Sequence, residues 1–164
     1  MRHSELPESD RDHLRRCVEL AEQALASGEE PFGSVLAAAD GTRLAEDHNR
    51  TVSTGDQTRH PELALARWAA ENLSPAQRSR ATVFTSGEHC PMCSAAHGWV
   101  GLGRIVYAHS SEQLAEWLDE MGVPRPPVRT IPIQDVIPGV EVQGPIAHLE
   151  VEVRALHRRF HRRT

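Results

Sequence analysis

The chain has 164 residues and a net charge of −5, with 39% apolar and 25% charged side chains. That balance fits one soluble globular domain, residues 1–164, long enough to bury a core. No apolar run approaches the roughly 18 residues a bilayer span requires, and the acidic balance argues against nucleic acid as the main partner.

The opening "MRHSELPESDRDHLRR" is polar and carries no apolar signal core, so a cytoplasmic location is expected. Ser9 is placed to cap a helix running to about Gly28, with Leu14, Cys17, Ala21, Ala24 and Leu25 at helical spacing. Cys17 is expected in the core. "SVLAAADGTRLAEDH" predicts a hairpin around Asp40 and Gly41, and "NRTVSTGDQTRH" predicts a loop. Pro61 suits the first turn of a helix reaching about Leu73.

"ATVFTS" predicts a buried strand. Pro91 opens a helix to about Val100, with Trp99 expected in the core, and "RIVYA" predicts the next strand. Ser111 is placed to cap the helix over "EQLAEWLDEMG". The proline-rich stretch "PRPPVRTIPIQDVIPGVEV" predicts a connection with short strands at most. A last helix is expected from about Ala147 to Arg163, ending in an arginine-rich tail read as a solvated face. Strands alternating with helices predict an α/β fold.

The chemistry starts at Cys90 and Cys93. A C-x-x-C pair at a helix start puts two sulfurs on one face, where they chelate one ion or form a redox couple. His60 and Glu62 open another helix that can face the same point. One imidazole with two thiolates suits zinc, so a metal site is favoured over a redox pair. Three protein ligands leave a position for water, as catalytic zinc sites do, and Glu62 is placed to take a proton from it. A closed structural site, completed by His89, is the non-enzymatic alternative.

"HPE … EHCPMC" resembles the H-x-E … P-C-x-x-C signature of the zinc-dependent cytidine/deoxycytidylate deaminase superfamily. "EEPFGSVLAAADGTRLAEDHN" resembles the first hairpin of its nucleobase branch, and "GWVGLGRIVYA" a later strand. "PFG", "CPMC", Trp99 and "RTIPI" are most similar to bacterial guanine deaminases. The resemblance implies a three-layer α/β/α sandwich with a central mixed sheet of about five strands. It implies Zn2+ on His60, Cys90 and Cys93, Glu62 as proton shuttle, and Asn49 against the substrate, a turn residue being the alternative for Asn49; Phe32 is a candidate to pack under the substrate or, equally, in the core.

The activity implied is hydrolytic deamination of a nucleobase or nucleoside, a guanine-type purine favoured, with a small-molecule substrate and a homodimer. Adenosine in tRNA and cytosine or cytidine are the alternative substrates. The C-terminal helix, about 147–163, is expected either swapped onto a partner or packed on its own domain, with His157 or Phe160 near a pocket.

Two positions depart from the family pattern. Proline commonly precedes the first cysteine; here His89 stands there and is a candidate substrate contact. Guanine deaminases place a base-recognising aspartate after the strand "RIVYA"; here Glu112 and Gln113 occupy that region, which leaves base and nucleoside both open.

Overall fold

The computed structural model describes residues 6–162, so Arg163, the expected end of the last helix, lies outside the described residues. Helix α1 spans Glu8–Ala26 and leads into a hairpin of β1 (Gly33–Ala37) and β2 (Arg43–His48). A short α2 (Thr51–Thr54) precedes α3 (Pro61–Asn72) and α4 (Pro75–Arg80). Then follow β3 (Thr82–Gly87), α5 (Pro91–Trp99), β4 (Ile105–His109) and α6 (Ser111–Glu120). The chain closes with α7 (Ile133–Val136), β5 (Val142–Gln143), a 3₁₀ turn (Ala147–Leu149) and α8 (Glu150–His161).

The five strands form one mixed sheet in the order β2-β1-β3-β4-β5. The β2-β1 and β1-β3 pairs are antiparallel, and β3-β4 and β4-β5 are parallel. Strand residues alternate between faces. Val35, Ala37, Phe84, Val106 and Ala108 pack with Leu14, Cys17, Val18 and the α8 residues Val153 and Leu156. Leu36 and Val83 pack on the other side, with Leu65, Ala66 and Ala69 of α3. Every residue of β1 and β4 is buried, as strands covered on both faces require. The α/β/α layering expected from the sequence is therefore present, and no helix is long and apolar enough to cross a membrane among the described residues.

Gly33 fixes how closely α1 lies on β1. A Cβ there would meet the Cys17 carbonyl oxygen at 2.4 Å and Leu20 Cβ at 2.5 Å, so only glycine fits without moving the helix. The last helix packs on its own chain, through α1 and β4.

Several local expectations are corrected. Helix α1 begins one residue before Ser9, with Pro7 at the N-cap and Glu8 and Asp10 in the first turn, where their charge favours the helix end. Ser110, not Ser111, caps α6, in a reciprocal capping box with Gln113. The loop after β2 holds α2, and the proline-rich stretch holds α7 as well as the short β5. Helix α4, unread in the sequence, has its own capping box between Ser74 and Gln77. Trp99 is 90% exposed rather than core. The buried face of α5 is carried by Cys93, Ser94 and His97, and Trp99 lies about 200° around the helix from His97.

Candidate active site

Two helix starts and the end of the hairpin meet at one end of the sheet. His60 is the N-cap residue of α3, followed by Pro61; Cys90 is the N-cap residue of α5, followed by Pro91. Proline in the first helical position has its ring φ already set for the helix and loses no needed N–H. The turns that carry His60 and Cys90 are thus stiffened in the same way.

His60 Nδ1 lies 3.5 Å from Cys90 Sγ and 3.5 Å from Cys93 Sγ. The three donor atoms all fall within 4.8 Å of one another, with His60 and Cys90 half-buried and Cys93 buried. Three groups this close compete for protons. The Cys90 thiol is pulled down to about 4, chiefly by the hydrogen bond from Cys93 and also by His60. Cys93 is pushed up by the same Cys90 contact and by burial, and His60 is raised by Cys90. A divalent cation bound to all three would hold both sulfurs as thiolates, so the donor set fits zinc in number, type and spacing.

Glu62, in the first turn of α3, is 6% exposed, and burial pushes its carboxyl above the usual range. Its Oε1 accepts a 2.8 Å hydrogen bond from the Thr85 hydroxyl of β3. Glu30, just before β1, is a second carboxyl raised by burial, close enough to His60 to feel its charge.

Asn49 and Phe32 close the same end. The Asn49 N–H donates to the Phe32 carbonyl at 3.0 Å, extending the hairpin, and the Arg50 N–H donates to the Arg59 carbonyl, next to His60. The Asn49 side-chain oxygen accepts from the N–H and hydroxyl of Thr51, starting α2. Its NH2 is then the end able to meet a ligand. Glu29 holds this turn from below, accepting from the N–H groups of Val52 and Ser53.

Phe32 is half-buried, with its ring edge-on to His157 of α8 at 5.0 Å and 6.2 Å from His109. His109 and His157 also meet at 5.1 Å, and Trp117 lies 5.2 Å from His109. His157 is expected near a pocket from the sequence; His109 is not, and its one signal there is its place one residue past "RIVYA".

His89 is 1% exposed, its ring edge-on to His97 at 5.4 Å. Neither ring nitrogen has a hydrogen-bond partner among the described residues. Burial, with His97 nearby, holds it neutral. Gln113 is committed to the α6 cap, its Oε1 accepting from the Ser110 N–H. Glu112 lies instead on a separate groove of about 960 Å³ between α6 and the 125–134 segment. Glu88, next to His89, also lines that groove, and its carboxylate accepts from the N–H groups of Ser111 and Ile133. The convergent donors of His60, Cys90 and Cys93 and the buried carboxyl of Glu62 lie outside its lining.

Residues 7–109 match the family model for the cytidine and deoxycytidylate deaminase zinc-binding region. A probable cytosine deaminase of Schizosaccharomyces pombe is 30% identical over 164 residues, covering 98% of this chain and 97% of that one. The guanine deaminase of Bacillus subtilis is 35% identical over 104 residues, covering 63% and 66%. Among solved structures, that of a guanine deaminase from Nitrosomonas europaea superposes with a TM-score of 0.69 at 21% identity, covering 99% and 97%, which supports the fold.

Proposed function

The chain belongs to the zinc-dependent cytidine and deoxycytidylate deaminase family, hydrolases that act on a C–N bond of a nucleobase or nucleoside, and from that premise we propose that it deaminates a small aminated base, a guanine-type purine in the first instance. The observation that carries the reading is the convergence of His60, Cys90 and Cys93 beside a buried Glu62. The purine preference is supported by the 35% identity to the Bacillus subtilis guanine deaminase. Cytosine is the second reading, favoured by the Schizosaccharomyces pombe relative that matches nearly end to end. The net charge of −5 weighs against tRNA.

In this reading His60, Cys90 and Cys93 hold the metal. Zinc bound there supplies a water whose pKa is lowered to about 7. Glu62 removes a proton from the attacking water and delivers it to the ring nitrogen beside the amine-bearing carbon. It then carries the second proton to the departing amine, so ammonia leaves and a carbonyl remains. Burial suits Glu62 to this, because a carboxyl raised above its ordinary value gives up less driving force when it takes a proton and then returns it. The Asn49 NH2 donates to the base, and Phe32 packs against its ring. A homodimer of this domain is part of the proposal, and sedimentation of the purified chain reads it directly.

The test is ammonia release from guanine, guanosine, cytosine, cytidine and adenine by the native protein and by Glu62→Ala, with zinc content measured on both. Native turnover of guanine with one zinc per chain, lost in a zinc-loaded Glu62→Ala, is expected. Equal ammonia release by the two proteins overturns the role of Glu62, and preferential turnover of cytosine replaces the purine reading with the second one.

A further inference from the structure

Behind Glu62 lies a pair of hydroxyls that the reading above leaves without a role. Ser34 on β1 and Thr85 on β3 face each other in the antiparallel register, and both are fully buried. The Ser34 hydroxyl donates to Thr85 Oγ1 at 2.8 Å, and the Thr85 hydroxyl donates to Glu62 Oε1 at 2.8 Å. Neither hydroxyl makes another hydrogen bond among the described residues.

The chain of bonds has a direction. Each hydroxyl carries one proton, and an ionised carboxylate carries none. Glu62 is the terminal acceptor, so Thr85 must spend its proton on Oε1 and take Ser34's in return. Reversing the chain would require Ser34 to give its proton to a new acceptor inside the sheet, at the cost of a buried polar group left unpaired. Oε1 is therefore held as an acceptor whether or not the carboxyl is protonated.

We propose that Thr85 and Ser34 are positioning residues that pin Oε1 of Glu62 and so keep the proton it carries on Oε2. The inference rests on Glu62 being the proton carrier. A carboxyl free to rotate would offer its proton from either oxygen, half the time towards the sheet. One anchored by a strand-borne hydroxyl presents a single oxygen in a single orientation, and misplacement on the order of 1 Å costs roughly 100-fold in rate. The sheet supplies this anchor at no entropic cost at the moment of reaction, because Thr85 is β-branched and stiff at χ1.

The experiment uses the full-length, zinc-loaded chain and whichever of guanine, cytosine and adenine releases most ammonia. Thr85→Val keeps the shape and removes the donor; Thr85→Ser keeps the donor; Ser34→Ala removes the second link. Expected are a kcat about 10- to 100-fold lower for Thr85→Val with KM unchanged, recovery to within about 3-fold of native for Thr85→Ser, and an intermediate loss for Ser34→Ala. Circular dichroism and zinc content identify a misfolded variant, and if Thr85→Val misfolds, Ser34→Ala and Thr85→Ser decide. A native kcat in Thr85→Val or in Ser34→Ala, a rise in KM alone, or equal losses in Thr85→Val and Thr85→Ser each overturn the relay while Glu62→Ala stays inactive. Activity retained by Glu62→Ala overturns the reading of Glu62 itself.

Discussion

A methyl group on Gly87 would lie 2.7 Å from Nε2 of His109. The two residues are register partners on β3 and β4, and the absent side chain of one makes the space for the ring of the other. The same methyl would stand 3.1 Å from Phe32 Cε1. Thr85 and Gly87 share one face of β3, so this ring cluster begins one strand step beyond the hydroxyl that holds Glu62.

Gly87→Ala is therefore expected to push His109 against His157 and Phe32, whose rings are already in contact. Overpacking of this kind costs about 1–3 kcal/mol. Urea unfolding reads the stability loss. Ammonia release falls with it if Phe32 bears on the substrate, and a raised KM is the expected form of that loss.

Cys93→Ser is expected to lower zinc from one per chain to near zero, because oxygen replaces a soft thiolate in the buried corner of the triad. Native protein with zinc at a hundred times its dissociation constant gains about 2.7 kcal/mol over stripped protein. In Cys93→Ser that gain disappears. Elemental analysis and melting with and without a chelator check both statements.

Acid should loosen the attachment of α8. Burial holds His109 down at about 4 and depresses His157 well below the usual histidine value, with His109 and His161 adding to the shift of His157. In the unfolded chain both titrate near 6.5, so between about 6.5 and 4 the unfolded state binds the extra protons. The stabilisation is fully present above 6.5 and is lost as pH falls towards 4, about 3 kcal/mol from His109 alone. Unfolding measured at several pH values in the Cys93→Ser background separates this from metal loss. His157→Phe should flatten the dependence; an unchanged slope would rule out the His157 contribution.

His89→Leu is expected to leave the melting temperature unchanged or raise it. Both ring nitrogens of His89 are buried without partners among the described residues, and such groups cost roughly 1–3 kcal/mol each. An aliphatic side chain of similar size removes that cost. KM for the base is the accompanying readout, and a marked rise would assign His89 to the substrate after all.

The convergence of His60, Cys90 and Cys93 was legible in the sequence because its chemistry is concentrated in few residue types at helix starts. Two cysteines at C-x-x-C spacing and a His-Pro-Glu upstream need only be brought together by one β-strand. Ser34 and Thr85 were not legible, since hydroxyl residues are ordinary in strands and their pairing depends on register. His109 and His157 come from segments 48 residues apart and meet only because α8 folds back over β4. Apolar character alone does not place Trp99, because the helix face decides: His97 and Cys93 take the buried side of α5.

The ends of the sheet have a consequence for association. One edge strand, β2, carries Arg43, Glu46 and Asp47, and the other, β5, is two residues long and bounded by Gly144 and Pro145. Charge on one edge and brevity on the other discourage strand addition, the route by which exposed sheet edges aggregate. Among the described residues the apolar surface most open to contact lies instead on a helix, at the 90% exposed Trp99.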